Sequence, residues 1–159
     1  MLVVVAVYYD IRTYKIPNRF ILLGYLFSCF FQLKNGIAGF REFFIGASLP
    51  IISLVFLQRM GVIGGGDVKL LSVVGSFFGR KEGIYSIILS FIFGAVLSLF
   101  FLIQRGVLKT RIRFFLDYIQ TVVHTGKWIP YYQIAKDGYS GTIHFSIAVL
   151  AAVLVLLWL

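Results

Sequence analysis

The sequence predicts an all-α integral membrane protein, a bundle of about six transmembrane helices that forms one domain over residues 1–159. The chain is 60% hydrophobic and 18% aromatic, whereas an ordinary soluble domain is roughly half apolar. Long apolar runs recur over almost its whole length, and because each span takes about 20 residues, no length is left for a separate soluble domain. The formal net charge of +9 resides in short segments between these runs, which indicates membrane topology rather than nucleic-acid binding.

Hydropathy and helix-breaking residues place the six spans at about residues 1–13, 19–33, 40–57, 67–79, 83–103 and 142–159. Pro17 separates the first two spans, and we expect Asn18 to cap the second helix. In the fifth span Ser90, Gly94 and Ser98 recur every four residues. These small side chains predict the close approach of a neighbouring helix.

The basic residues predict the orientation of the bundle. An even number of spans places both termini on one side of the membrane. If the loop after the first span is cytoplasmic, eleven of the fifteen Lys and Arg residues lie on that side, and only Lys34, Arg41, Arg80 and Lys81 lie outside. Because cytoplasmic loops carry an excess of basic residues, we expect a multi-pass protein of the cytoplasmic membrane with both termini extracytoplasmic.

The segment 104–141 is longer than the other connections and predicts a further helix. Ile112, Phe115, Leu116, Ile119 and Val123 recur at helical spacing, and polar residues occupy the other faces. Two arrangements explain this pattern equally well. The helix lies in the cytoplasmic membrane interface, with its bases near anionic headgroups, or it packs as a cytosolic cap.

Two of the six acidic residues are candidates for catalysis. Asp10 and Asp67 each adjoin an apolar span at its predicted cytoplasmic end, a depth at which ionisable residues usually serve a function. Two carboxylates a few ångströms apart share one proton, as in the aspartic-protease dyad. Such a pair supplies the general base and the general acid that peptide hydrolysis needs, so the site requires no metal and no cofactor. The other acids are expected to be interfacial or solvated: Glu42, Glu82, Asp117 and Asp137.

Three glycines precede Asp67 in the stretch "GVIGGGDVKL" of residues 61–70. We expect the Gly64–Gly66 run to form a turn into the fourth span, in which Gly64 and Gly66 leave room for an extended peptide and permit positive φ angles. An ordinary turn with Asp67 as the helix N-cap explains the same residues.

Each candidate aspartate is followed two positions later by a base, Arg12 and Lys69 respectively. On a helix, residues i and i+2 do not face each other, so neither base pairs with its own aspartate. We expect these bases to reach lipid headgroups, backbone carbonyls or the other segment. Snorkelling toward the membrane surface is the alternative.

Together, "DIRTYKIPN" at residues 10–18 and "GGGDVKL" at residues 64–70 resemble the type IV prepilin peptidase family, membrane aspartyl proteases with a GxGD motif. The resemblance implies that residues 1–159 are one transmembrane peptidase domain with Asp10 and Asp67 as its catalytic pair. The residues that it implies in substrate binding or in shaping the site are Arg12, Pro17, Asn18, Gly64, Gly65, Gly66 and Lys69. The implied substrate is the short basic leader of a type IV pilin-like precursor, cut after a glycine at the cytoplasmic face.

The chain departs from this family in two places. Bifunctional members carry an additional cytosolic domain with paired cysteines, which methylates the pilin. We expect this chain to be the compact form without that domain. Compact members serve archaeal pilins and archaella or bacterial tight-adherence pili. Many members carry a Pro-aromatic-Gly-Pro stretch in the last span, where this chain has "IHFSIA". His144 stands where proline is expected, and we interpret it as a structural residue at the outer membrane edge.

Two other functions fit parts of this pattern. Signal-peptide peptidases and presenilins have a tyrosine next to the catalytic aspartate, as this chain has in "YYD" at residues 8–10. They have more spans and a Pro-Ala-Leu motif that this sequence lacks, and they cut their substrates inside the bilayer. A proton-coupled transporter subunit would use Asp10 and Asp67 as a proton or cation site. Proton-coupled flux without peptide cleavage would identify a transporter, although no inverted repeat is detectable in the sequence.

Overall fold

The computed structural model describes residues 2–106, 108–126 and 144–158. Within these ranges the chain forms helices joined by short turns, with no β-strand. The helices are Leu2–Thr13 (α1), Asn18–Leu33 (α2), Gly36–Arg59 (α3), Gly65–Phe78 (α4), Arg80–Gln104 (α5), Leu108–Thr125 (α6) and Phe145–Leu156 (α7). The all-α class that the sequence predicts is therefore confirmed.

Two of these helices are long and apolar enough to cross a membrane, α3 with 24 residues and α5 with 25. At about 1.5 Å per residue, each exceeds a hydrocarbon core about 30 Å thick. The apolar helices α2 and α7 are shorter. Each predicted span has a helix at its position, although residue 1 of the first span and residues 142, 143 and 159 of the last one lie outside the described residues. The number of spans and the orientation of the termini remain predictions.

The short helix α4 forms the centre of the bundle. Leu70, Leu71 and Ser72 are fully buried, and α4 packs against α2, α3, α5 and α7. The backbones of α3 and α4 touch at Gly46 and Gly75, where a Cβ on either glycine would collide with the carbonyl of the other. This close approach fixes the height of α4, and with it the position of its first turn.

Helix α7 is held in place by α5. Gly94 leaves the space that the Phe145 ring occupies, because a Cβ on Gly94 would lie 2.8 Å from that ring. Ser90 is buried one turn earlier, and the Phe91 and Phe145 rings lie 5.6 Å apart. The predicted close approach of a neighbouring helix is confirmed, and it fixes the start of α7.

The predicted helix in segment 104–141 is present as α6, which makes few contacts with α5, the helix before it. Its apolar face is exposed at Ile112, Phe115, Leu116 and Val123. Residues 127–141 of this segment lie outside the described residues. Both arrangements of α6, in the membrane interface or as a cap, therefore remain predictions.

Candidate active site

Asp10 lies in the last turn of α1, and two side chains from the start of α7 contact its carboxylate. Ser146 donates a hydrogen bond of 2.6 Å from its hydroxyl to Oδ2 of Asp10. His144 places Nδ1 at 3.3 Å from the same oxygen. The Asp10 side chain is only 14% exposed and that of His144 21%. These contacts follow from the packing of α1 on α7, in which Ala6 is fully buried.

Tyr14 completes this end of α1. Its N–H donates to the Asp10 carbonyl at 2.8 Å. Among the described non-glycine residues, Tyr14 is the one with a positive φ, at 52°. A left-handed residue ends a helix, and for a side chain larger than glycine it requires support from its surroundings. The Tyr14 ring packs on the His144 ring with 4.6 Å between centroids, which supplies one such contact.

Asp67 occupies the third position of α4, whose N-cap is Gly64. Its N–H donates to the Gly64 carbonyl at 3.1 Å, and its side chain folds back over Gly64. The carboxylate thus lies at the N-terminus of α4, where the helix dipole stabilises negative charge. The two candidate aspartates lie at one end of the bundle, because the chain that follows Asp10 reaches the start of α4, where the Ile16 side chain faces Gly66.

The glycine run matters because it lacks side chains that would fill the space around Asp67, and not because of an unusual backbone conformation. Gly64 has a φ of −70°, and no positive φ occurs from Gly64 to Gly66. Our expectation of positive φ there is wrong because α4 already begins at Gly65; the residue with positive φ in this connection is Gly61, at 72°. A Cβ on Gly64 would lie 2.9 Å from Oδ2 of Asp67, so Gly64 makes room for that carboxylate.

The other two glycines face neighbouring side chains. A Cβ on Gly65 would lie 3.0 Å from Nε2 of Gln58, and one on Gly66 would make an ordinary contact of 3.5 Å with Ile16. The interpretation of Asp67 as an N-cap is also wrong, because Gly64 holds that position and Asp67 lies three residues later.

The two sequence motifs are joined by a side-chain hydrogen bond. Lys69 donates from Nζ to Oδ1 of Asn18 at 3.0 Å, so this base reaches across to the other segment. Asn18 does not cap α2 as we expected: Pro17 is the N-cap, in an extended conformation, and Asn18 is already the first helical residue. Arg12 instead stacks on the Tyr8 ring of its own helix, 4.9 Å from the centroid.

A family comparison covers this region of the chain. Residues 1–99 match the sequence model of the type IV leader peptidase family. This match contains both motifs and extends from α1 into α5. The chain belongs to the type IV leader peptidase family. Comparison with curated proteins gave no match, and neither did comparison with solved structures. Family membership and the apolar helices together make the chain a membrane protein of a peptidase family.

Two residues of this candidate site were missed from the sequence, His144 and Ser146. We interpreted His144 as structural and placed it at the outer membrane edge, whereas it contacts Asp10 at the end of the bundle that we predict to be cytoplasmic. The predicted topology could have placed His144 correctly, because the sixth of six spans begins on the side of the membrane where the first span ends. Ser146 had no such signal, since its role depends on the register between α1 and α7.

A cleft of about 380 Å³ opens at the opposite end of the bundle, beside the C-terminal ends of α2 and α4. It is lined by polar side chains that include Gln32, Asn35, Glu42 and Arg80. Glu42 accepts a hydrogen bond of 2.9 Å from the Arg80 N–H, so it satisfies the first turn of α5. Because Asp10 and Asp67 lie at the other end, this cleft is not part of the candidate active site.

Proposed function

We propose that this protein is a prepilin peptidase, an aspartyl endopeptidase that removes the short basic leader from type IV pilin-like precursors. In this proposal residues 1–159 form one peptidase domain of the cytoplasmic membrane, and the cut follows a glycine at the cytoplasmic face. The observation that carries the proposal is that Asp10 and Asp67 lie at one end of the bundle, where their two stretches of sequence are in contact at Ile16 and Gly66 and at Asn18 and Lys69. Membership in the leader peptidase family supports the substrate class.

The proposed reaction uses one ionised and one protonated carboxyl group. The ionised aspartate takes a proton from a water molecule, whose oxygen attacks the carbonyl carbon of the scissile peptide bond. The protonated aspartate gives its proton to the carbonyl oxygen, which forms a tetrahedral diol. When the C–N bond breaks, the leaving amine nitrogen takes a proton from the aspartate that was protonated by water. A hydroxyl group of the diol gives its proton to the other aspartate as the carbonyl re-forms, so the pair returns to one ionised and one protonated carboxyl group. No group outside the protein is consumed except water.

In the proposed topology, the two aspartates lie where a substrate can arrive from the membrane. A precursor has an apolar helix behind its leader, and that helix presents its cytoplasmic end at the level of the two aspartates. The enzyme carries a net charge of +9 and does not attract a basic leader electrostatically. Specificity therefore depends on the aspartates, on the glycine run before Asp67 and on the anionic lipid surface.

The test is a cleavage assay in lipid or detergent with a precursor that has a basic leader ending in glycine. Mass spectrometry of the product gives the new N-terminus. We expect the wild-type protein to cut after the leader glycine and Asp67→Asn to leave the precursor intact. A cut inside the apolar helix would instead indicate a presenilin-like protease. Well-folded protein that cuts none of several leaders, but carries protons in liposomes, would contradict the peptidase proposal.

A further inference from the structure

We infer that Ser146 and His144 at the start of α7 are positioning residues for Asp10, which fix the orientation of its carboxylate in the candidate active site. This inference rests on the proposed function for its consequence in catalysis. Its geometric part depends only on contacts within the described residues. Both residues lie outside the matched region 1–99, so the family match assigns them no role.

The two contacts converge on a single oxygen of the carboxylate. Ser146 and His144 both approach Oδ2 of Asp10, at 2.6 Å and 3.3 Å. A carboxylate held at one oxygen by two partners cannot rotate freely about its Cβ–Cγ bond. The other oxygen, Oδ1, takes part in neither contact and remains for a water molecule or a substrate carbonyl. Convergence on Oδ2 thus divides the carboxylate into an anchored oxygen and a reactive oxygen.

The anchoring groups are themselves held in place. Ser146 has no exposed surface, and its hydroxyl donates to Asp10 from the second residue of α7. His144 is the N-cap residue of the same helix, and the Tyr14 ring packs on its imidazole. The α5 helix fixes this first turn through the Phe145 ring beside Gly94. The Asp10 carboxylate is therefore positioned by a chain of packed groups that begins on α5.

The two candidate aspartates have different surroundings. Asp10 is anchored by side chains from another helix, whereas no described side chain is hydrogen-bonded to the Asp67 carboxylate, which lies over Gly64 on its own helix. Catalysis by a carboxyl pair requires both groups within a fraction of an ångström of their working positions. Helix α1 has few neighbours, since it packs on α7 and only slightly on α2, whereas α4 packs against four helices. Asp10 on α1 therefore needs an anchor from another helix more than Asp67 on α4 does.

The inference predicts a loss of turnover when the anchor is removed. Ser146→Ala deletes the hydrogen bond and little volume, and we expect kcat to fall about tenfold to a hundredfold with KM nearly unchanged. Ser146→Thr retains the hydroxyl and should restore most of that loss. Ser90→Ala is the matched control, because Ser90 is as fully buried as Ser146 but its hydroxyl has no hydrogen-bond partner in the described structure.

His144 is tested by a pair of variants that separate its ring from its nitrogen. His144→Phe keeps a ring against Tyr14 and removes Nδ1, and we expect kcat to fall severalfold. His144→Asn keeps a nitrogen at the same distance from the backbone and should retain more activity than His144→Phe. The reverse order would show that the ring contact alone matters and would overturn the role of His144 as an anchor.

An infrared measurement of the Asp10 carboxylate tests the anchoring contacts without the cleavage assay. The carboxylate band of Asp10 is assigned as the band lost in Asp10→Asn, and Ser146→Ala should shift it while Ser90→Ala should not. If the wild type cleaves precursor but Ser146→Ala has full kcat and an unshifted band, the inference is wrong and the proposed function stands. If the band shifts but the wild type cleaves no precursor, the anchor stands and the proposed function fails.

Discussion

Lys69 on α4 donates a hydrogen bond of 3.0 Å to the side-chain oxygen of Asn18 on α2. This bond joins the two stretches of sequence that carry the candidate site, since Asp10 opens the first stretch and Asp67 lies in the second. The contact of Ile16 with Gly66 lies beside it. The two stretches therefore contact each other through these side chains, and this contact holds the end of α1 near the start of α4.

The bond between Lys69 and Asn18 predicts non-additive effects on stability. Lys69→Ala and Asn18→Ala should each lower the midpoint of thermal unfolding in detergent, and the double variant should lower it no further than either alone. An exposed, charge-assisted hydrogen bond of this kind contributes about 0.5–1 kcal/mol to the free energy of unfolding. Arg12→Ala is the control, because Arg12 stacks on its own helix. Simple additivity of the two substitutions would show that the bond contributes nothing.

Gly64→Ala should reduce activity without unfolding the protein. The added Cβ would lie 2.9 Å from Oδ2 of Asp67, and the carboxylate has to move because it is the flexible partner. We expect kcat to fall about tenfold or more, since small displacements of reacting groups cost large factors in rate. Gly66→Ala is the comparison, because its Cβ would make an ordinary contact of 3.5 Å with Ile16 and would not displace Asp67, so we expect a smaller loss of kcat. Equal kcat for the two variants would contradict this role of Gly64.

Gly46→Ala and Gly75→Ala should destabilise the bundle itself. Each added Cβ collides with a backbone carbonyl of the opposite helix, which cannot rotate away as a side chain does. Overpacking of this kind costs about 1–3 kcal/mol in the free energy of unfolding. Thermal unfolding in detergent should therefore show a lower midpoint for both variants than for Gly66→Ala. An unchanged midpoint would mean that α3 and α4 do not approach as closely as the structure shows.

The exposed apolar face of α6 predicts contact with lipid. In a Cys29→Ser background, a fluorophore attached to Phe115→Cys should be quenched by a spin-labelled lipid in vesicles. A fluorophore on Asp117→Cys, which belongs to the polar face, should be quenched much less. If neither position is quenched, α6 is a cytosolic cap and not a membrane-interface helix.

Much of this fold follows from local sequence patterns. Apolar runs and breaker residues predict the helices to within a few residues, because helix boundaries depend on nearby side chains and on residues such as Pro17. That Asp10 and Asp67 lie at the same end of the bundle follows from counting the helices between them. The sequence could not predict contacts that depend on the register between distant helices, such as the bond from Ser146 to Asp10 across 136 positions. Nor did local pattern predict that Asn18 bonds Lys69, because a capping residue and a tertiary partner look alike in sequence.

The measurement that tests the account most directly is precursor cleavage by Asp10→Asn, by Asp67→Asn and by the double variant, with Asp117→Asn as the control. Two groups that act as one catalytic unit lose activity together, so we expect each of the three variants to lose about 10³-fold or more in kcat. Asp117 is exposed on α6, and its substitution should leave kcat unchanged. Wild-type activity in folded Asp10→Asn or Asp67→Asn would contradict the proposal that these two carboxylates form the catalytic pair.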